Sequence, residues 1–211
     1  MDGPKMDLSC AWTDNCKGRG GTNDLKYTAA DGTTVETSKP NHGDGSIYYY
    51  LANLFDGSNP YQAGFTSCRG GAAAYCYWMS TNLVADDSDD AADGGAVTLT
   101  ITFPDTRSIS RIDLRPIGTT SYPCNYKLEV VGSMETDWVN IQKTPPGYTM
   151  THRVDASART VKLHLKHWLA GKRYCSFDEI TIFAGAAGSA SPETAASQCD
   201  ESVSLAPPAQ T

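Results

Sequence analysis

Val97-Thr98-Leu99-Thr100-Ile101-Thr102-Phe103 alternates an apolar residue with a threonine at every step. Successive side chains of a β-strand point to opposite faces, so this run predicts a half-buried strand with one apolar and one polar face. The same period recurs further along. Ile112 and Leu114 alternate with Arg111, Asp113 and Arg115, and Tyr126, Leu128 and Val130 alternate with Lys127 and Glu129. Val161, Leu163 and Leu165 alternate with Lys162, His164 and Lys166, and Ile180 and Ile182 flank Thr181. Turn residues punctuate these runs at Phe103-Pro104-Asp105, Gly118-Thr119-Thr120 and Pro145-Pro146-Gly147. No stretch of helical period rivals them. Short alternating strands between turn signals predict an all-β sandwich or barrel.

The chain has 211 residues, which suits one domain with tails. Residues 1–45 are rich in Gly, Asp, Asn and Thr and read as an irregular N-terminal arm. Residues 46–186 hold the alternating strands and read as the folded body. Residues 187–211 are Ala/Ser/Pro-rich and read as a tail that cannot build a core. The acidic run Asp86-Asp87-Ser88-Asp89-Asp90 reads as a solvated loop.

Charge and cysteine content narrow the function classes. The net charge of −7 argues against a nucleic-acid partner, because a protein that tracks phosphates carries a basic face. No apolar run approaches the roughly 18 residues of a membrane span. Seven cysteines, Cys10, Cys16, Cys68, Cys76, Cys124, Cys175 and Cys199, point to an oxidising compartment such as the extracellular space, with disulfides. They do not read as a zinc site: no Cys-x2-Cys pair occurs, and no histidine stands beside a cysteine pair. Met1-Asp2-Gly3-Pro4-Lys5 lacks the apolar core of a signal peptide, which keeps a ciliary or organellar complex open as the alternative location.

Two separated signatures bracket the strands: Leu51-Ala52-Asn53-Leu54-Phe55-Asp56-Gly57-Ser58 and Ser176-Phe177-Asp178-Glu179-Ile180-Thr181-Ile182-Phe183. Between them stand Ile112-Asp113-Leu114-Arg115 and Leu128-Glu129-Val130. In this order the four segments resemble the discoidin, or coagulation factor 5/8 C-type, branch of the galactose-binding-like jelly rolls. The resemblance covers about residues 45–185. It implies a β-sandwich that binds rather than catalyses. It also implies a structural calcium, with Asn53, Asp56 and Ser58 of the first signature and Glu179 on the last strand as ligands. Hard cations take oxygen ligands held by a tight loop, which suits these residue types. The other reading of the same residues is that Asp56 caps a turn and Glu179 is a solvated strand position.

A carbohydrate site needs an aromatic plate for the apolar face of a pyranose and a few directional groups for its hydroxyl rim. Arg115 and Tyr122 around the 116–125 loop, and His167, Trp168 and Arg173 in the 167–175 loop, are the candidates. Trp168-Leu169 between Lys166 and Lys172 also resembles an apolar spike with a basic collar, but the acidic balance of the chain speaks against membrane insertion. Candidate disulfides are Cys68 with Cys76, Cys124 with Cys175, and Cys10 or Cys16 with Cys199, although sequence does not fix connectivity.

Catalysis has no motif behind it. There is no Gly-x-Ser-x-Gly elbow, no His-Glu-x-x-His and no Gly-x4-Gly-Lys-Ser/Thr loop. Asp178 and Glu179 are neighbours on one strand, so they point to opposite faces and do not converge on one bond. The function expected is therefore non-catalytic recognition of a glycan or glycoprotein, of the lectin or adhesion type. The alternative is a docking subunit of a larger assembly that holds other protein subunits through the terminal arms.

Overall fold

The computed structural model describes residues 2–9, 25–38, 51–55, 67–68, 71–72, 78–79, 97–116, 124–141, 148–167 and 175–185. Its strands are β1 (Lys26–Thr28), β2 (Thr34–Thr37), β3 (Ser67–Cys68), β4 (Gly71–Ala72), β5 (Trp78–Met79), β6 (Val97–Pro116), β7 (Cys124–Val130), β8 (Met134–Glu135), β9 (Val139–Asn140), β10 (Met150–His167) and β11 (Ser176–Ala184). A single 3-10 turn, Leu51–Phe55, is the helical element among the described residues. All pairings among the described strands are antiparallel. The expected all-β class is what the chain adopts.

Two long strands dictate the architecture. β6 and β10 pair from Val97↔Leu165 to Leu114↔Met150. A straight strand of 20 residues would run about 65 Å, too long for a domain of this size. The ribbon folds over instead. Val97, Leu99, Ile101 and Phe103 are buried at odd positions, whereas Ile112, Leu114 and Pro116 are buried at even ones. On β10 the inward positions likewise change, from Ala158 to Val161, Leu163 and Leu165. The pairing slips between Arg153 and Ala156 and again between Ala158 and Thr160. Each extra residue reverses which side chains meet the core and bends the strand. Asp155, with φ of 46°, takes the left-handed conformation within the first slip.

Ring contacts prove the fold-over. Tyr126 of β7 lies opposite Leu165, at the Val97 end of the ribbon. Phe177 of β11 lies opposite Pro116, at the other end. Within a flat sheet even the three strand steps from β7 to β11 would separate them by about 14 Å. Their ring centroids are 6.4 Å apart, edge to face. One layer therefore holds β1, β2, the first half of β6, the second half of β10, and β7 to β9. The facing layer holds the second half of β6, the first half of β10, β11 and β5. Tyr126, Phe103, Phe177, Leu99, Ile109, Ile112 and Leu114 fill the space between them.

The sheet reaches further toward the N-terminus than the boundary expected at residue 46. β2 pairs with β6 through Val35↔Ile101, and Tyr27 and Val35 are buried in the core. The β1–β2 hairpin is short enough to hide among turn residues. Gly32 supplies its φ of 87°, and the Asp31 carboxylate accepts from the Thr33 N–H at 2.9 Å. Residues 2–9 are also part of the body. They run antiparallel along the outer edge of β11, with Gly3 N donating to Ala184 O at 3.0 Å and Met6 N to Ile182 O at 2.8 Å. β5 covers the same edge further on, through Trp78↔Phe177. A covered edge offers no template for pairing with another chain. The tail at 187–211 lies outside the described residues.

Candidate functional site

The folded ribbon brings the two ends of its long strands to one open end of the sandwich. Pro116 closes β6 there, and His167 closes β10, paired with Cys124 at the start of β7. Cys175 and Ser176 lead into β11 beside Pro116. The chain segments 117–123 and 168–174 therefore both depart from this end and return to it. Tyr122, Trp168 and Arg173 lie within them, outside the described residues. His167 is described as a strand position of β10, paired with Cys124.

Arg115 is the last residue but one of β6 and points away from the inter-layer core. Its Nε donates to Asp178 Oδ2. The Asp178 side chain is 0% exposed and that of Arg115 17%. The sequence suggested a ligand contact for Arg115; the structure shows the guanidinium bound to a buried carboxylate next to the open end. Glu179, one residue on, takes a different cation. Lys5 Nζ donates to its Oε1 at 2.8 Å, and the Glu179 residue is 4% exposed. The two adjacent acids are thus neutralised by separate cations; the pairing slips between Phe177 and Glu179, so strict alternation does not hold across Asp178.

The two bracketing signatures meet. Leu51, Leu54 and Phe55 are buried, and the 3-10 turn that carries them packs against β11. Tyr27 and Phe55 form an edge-to-face pair with centroids 6.3 Å apart. Asn53 lies in this turn, whereas Asp56 and Ser58 lie outside the described residues. Of the suggested cation ligands, Glu179 is the one whose side chain is described, and Lys5 occupies one of its oxygens. A cation at Glu179 would have to displace that ammonium. Among the described residues no three His, Cys, Asp or Glu side chains converge.

Between the layers, near the open end, lies a polar pair that sequence reasoning did not single out. The Tyr126 Oη is 2.8 Å from His152 Nε2, and the rings meet edge to face at 5.7 Å. Burial pushes the His152 pKa down, with the Asp113 charge opposing. Burial, followed by the nearby Tyr148, pushes the Tyr126 phenol up to about 12. A neutral imidazole accepting at Nε2 from a protonated phenol satisfies both groups. Tyr148, 49% exposed, stands beside this pair. The strand that carries His152 was legible only from Val161 onward, because among the residues that alternate with Thr151, Arg153, Asp155 and Ser157 only Val154 is a large apolar one.

The outer face of the first layer is polar, as its threonines predict. His164 bridges Thr98 Oγ1, 3.2 Å from Nδ1, and Glu129 Oε2, 2.9 Å from Nε2. That hydrogen bond, with help from the Lys162 charge and against a smaller cost of burial, holds the Glu129 carboxyl below the usual range. Cys175 is buried and disulfide-bonded. Of the other cysteines, Cys68 and Cys124 are described as strand positions, and Cys10, Cys16, Cys76 and Cys199 lie outside the described residues.

No family model matches the chain, and no curated protein matches it. Solved structures do. The family 32 carbohydrate-binding module of Clostridium perfringens NanJ, solved with galactose, is 14% identical, with 72% of this chain and 93% of that one covered and a TM-score of 0.44. The C-terminal domain of a chitobiase from Bacteroides fragilis is 16% identical, with 76% and 97% covered and a TM-score of 0.44. A chitosan-binding module from a Paenibacillus chitosanase/glucanase is 14% identical, with 74% and 96% covered and a TM-score of 0.41.

Proposed function

We propose that the chain is a non-catalytic carbohydrate-binding module with its ligand site at the open end of the sandwich. The observation that carries this reading is the convergence there of Pro116, Cys124, His167 and Cys175, the four roots of segments 117–123 and 168–174. Loops on a rigid strand frame are where binding residues concentrate. These two segments hold the aromatic residues Tyr122 and Trp168 and the cation Arg173, with His167 and Arg115 at their roots. Exposed Tyr148 adds a second aromatic face beside the half-buried His152. Aromatic surface with a few directional polar groups suits a pyranose. Asp178 and Glu179 are paired with Arg115 and Lys5, which supports binding rather than acid–base chemistry by these two acids. The disulfide at Cys175 supports an oxidising compartment. The proposal includes a structural calcium between the 53–58 segment and Glu179, supported by the packing of the 3-10 turn on β11.

A glycan array, run in calcium and in chelator, tests the reading. A defined glycan set bound by the native chain, and lost in Trp168→Ala with Tyr122→Ala, is the expected result. Binding that survives chelation discards any part for calcium in ligand capture. A blank array refutes the carbohydrate reading and moves the weight to a docking subunit, to be pursued by isolating what the chain holds in extracts.

A further inference from the structure

A second feature lies on the outer face of the first layer, away from the space between the layers. β9 pairs with β7 through Tyr126↔Val139 and Asn125↔Asn140. Val139 packs against the core, so by strand parity Trp138 and Asn140 share the outer face with Asn125 and Lys127. Lys166 of β10, opposite Asn125, joins them. Five residues from three neighbouring strands thus form one patch: a tryptophan, two lysines and two asparagines.

Trp138 is the large aromatic of this face, and it is 39% exposed. Its loop is fixed rather than free. Thr136 N donates to Leu128 O at 2.9 Å, and Leu128 N donates to Thr136 Oγ1 at 3.0 Å. Lys166 Nζ stands 4.3 Å from the Trp138 ring centroid and Lys127 Nζ 5.5 Å. The two lysines differ in their other partners. Lys127 is tied to Glu135. Lys166 has no carboxylate within ion-pair distance among the described residues, although the chain as a whole is strongly acidic. Asn140 Nδ2 donates to Asn125 Oδ1 at 2.9 Å, which sets the two amides side by side and leaves further donors and acceptors on each.

We propose that this patch is a second saccharide subsite, selective for an anionic sugar, a uronate or a sulfated residue. Trp138 is the plate for the sugar's apolar face, Lys166 meets its anionic group, and the Asn125–Asn140 pair serves its hydroxyls. The anion draws Lys166 off the Trp138 ring that it lies over, which clears the plate and breaks no ion pair among the described residues. An anion-selective peptide or lipid surface would want the cations but has no use for a plate flanked by paired amides. The patch borders the open end through Asn125 and Lys166, but its test turns on Trp138, so it stands or falls separately from the reading above.

The test is an array of uronate-containing, sulfated, sialylated and neutral glycans, probed with the intact chain, Trp138→Ala, Trp138→Phe, Lys166→Gln and Lys26→Gln. Acidic glycans are expected to be captured more strongly at low ionic strength than at about 0.15 M salt. Trp138→Ala is expected to weaken that capture by about tenfold or more, the scale of losing one aromatic contact, while Trp138→Phe keeps most of it. Lys166→Gln is expected to weaken it and to flatten the salt dependence, and Lys26→Gln, which removes an exposed cation on β1 at the far edge of the same layer, to leave it unchanged. Titration of the best acidic glycan is expected to shift the Trp138 indole N–H resonance. Uronate and sulfate arms show which anion is preferred. The proposal is overturned if no acidic glycan depends on Trp138, if neutral glycans bind the patch equally well, or if an acidic peptide or an anionic phosphatidylserine vesicle competes equally for it.

Discussion

Replacing Arg115 by methionine takes the guanidinium from a carboxylate that water does not reach. Asp178 is 0% exposed at its side chain, and the Arg115 side chain is 17% exposed, so the pair is nearly dry on the acid's side. Removing one member of a buried pair costs about 3–5 kcal/mol, because the remaining charge keeps its desolvation penalty. For a chain of this size that is a fall in Tm of roughly 10 °C. The loss is expected to be smaller at acid pH, where protonation of carboxylates removes the charge that Arg115 balances. The companion Arg115→Met with Asp178→Leu removes both charges at once. Apolar replacement of a whole buried pair is often neutral or stabilising, so the double variant is expected to recover most of the loss. Urea denaturation of the four proteins of this cycle, at neutral pH and at about pH 4.5, measures all of it. The double variant also separates two roles for Arg115: if it is as stable as the native chain but no longer binds glycan, the guanidinium serves the ligand as well as Asp178. A single variant that loses less than about 1 kcal/mol, or a double variant no better than the single, refutes the argument from a buried seam.

Three further outcomes follow from the same geometry. Burial lowers the His152 pKa, so the unfolded chain binds a proton before the folded one. Its contribution to stability is full above the ordinary histidine range and is lost as pH falls from there through the lowered value. Urea midpoints at about pH 7.5 and 5.5 are expected to differ more for the native chain than for His152→Gln; equal differences would contradict this. Tyr126 and Phe177 touch across the layers, and Cys124 and Cys175 each precede them by two residues. Cys124 is therefore the expected partner of Cys175. A non-reducing peptide map should contain that cross-link, and closing a loop of roughly 50 residues should contribute about 4 kcal/mol on the chain-entropy account; a map joining Cys175 to another cysteine rejects the pairing. Asp155, with φ of 46°, should tolerate Asp155→Gly and lose roughly 1–2 kcal/mol in Asp155→Val, read from thermal melts. Equal stability of the two variants would mean that the bend does not depend on that conformation.

What could be read in the sequence and what could not has a consistent physical cause. The core strands announce themselves because Val97 to Phe103 and Val161 to Leu165 alternate large apolar residues with polar ones. The fold-over does not, because a bend is made of slips in pairing between two distant strands. Phe103-Pro104-Asp105 looks like the end of a strand, yet β6 continues through it to Pro116. The first half of β10 escapes notice because its inward residues include His152, Ala156 and Ala158, which are small or polar. The N-terminal segment escapes because an edge partner needs backbone hydrogen bonds and little apolar pattern: Leu8 alone is fully buried there. The meeting of the 3-10 turn with β11 was legible only through resemblance, since no local pattern links residue 51 to residue 180. Trp138 was missed because one aromatic in a polar hairpin carries no periodic signal. Its neighbours become visible only when β7, β9 and β10 are in register.

Glu179 shows how a sequence signature can support two chemistries at once. A carboxylate on the closing strand, close to the 3-10 turn, is what a stapling cation would use, and it is also what Lys5 uses. The two are mutually exclusive at Oε1, so they make opposite demands on the N-terminal segment. The Lys5 side chain is 44% exposed, and an ion pair open to water on one side contributes only about 0–1 kcal/mol. Displacing it is therefore a small cost to a divalent ion that finds further oxygens in the 53–58 segment. If calcium is part of the native protein, Lys5→Met removes its competitor and should tighten calcium binding, while Glu179→Gln should abolish it. Saturation at about a hundred times the dissociation constant adds about 2.7 kcal/mol, an easily measured rise in Tm. If Lys5 is instead the resident cation, calcium leaves Tm unchanged in every variant, and Lys5→Met alone lowers it slightly, by the about 0–1 kcal/mol of a pair open to water. Thermal melts of three proteins, with and without calcium, decide which cation the closing strand was built to hold.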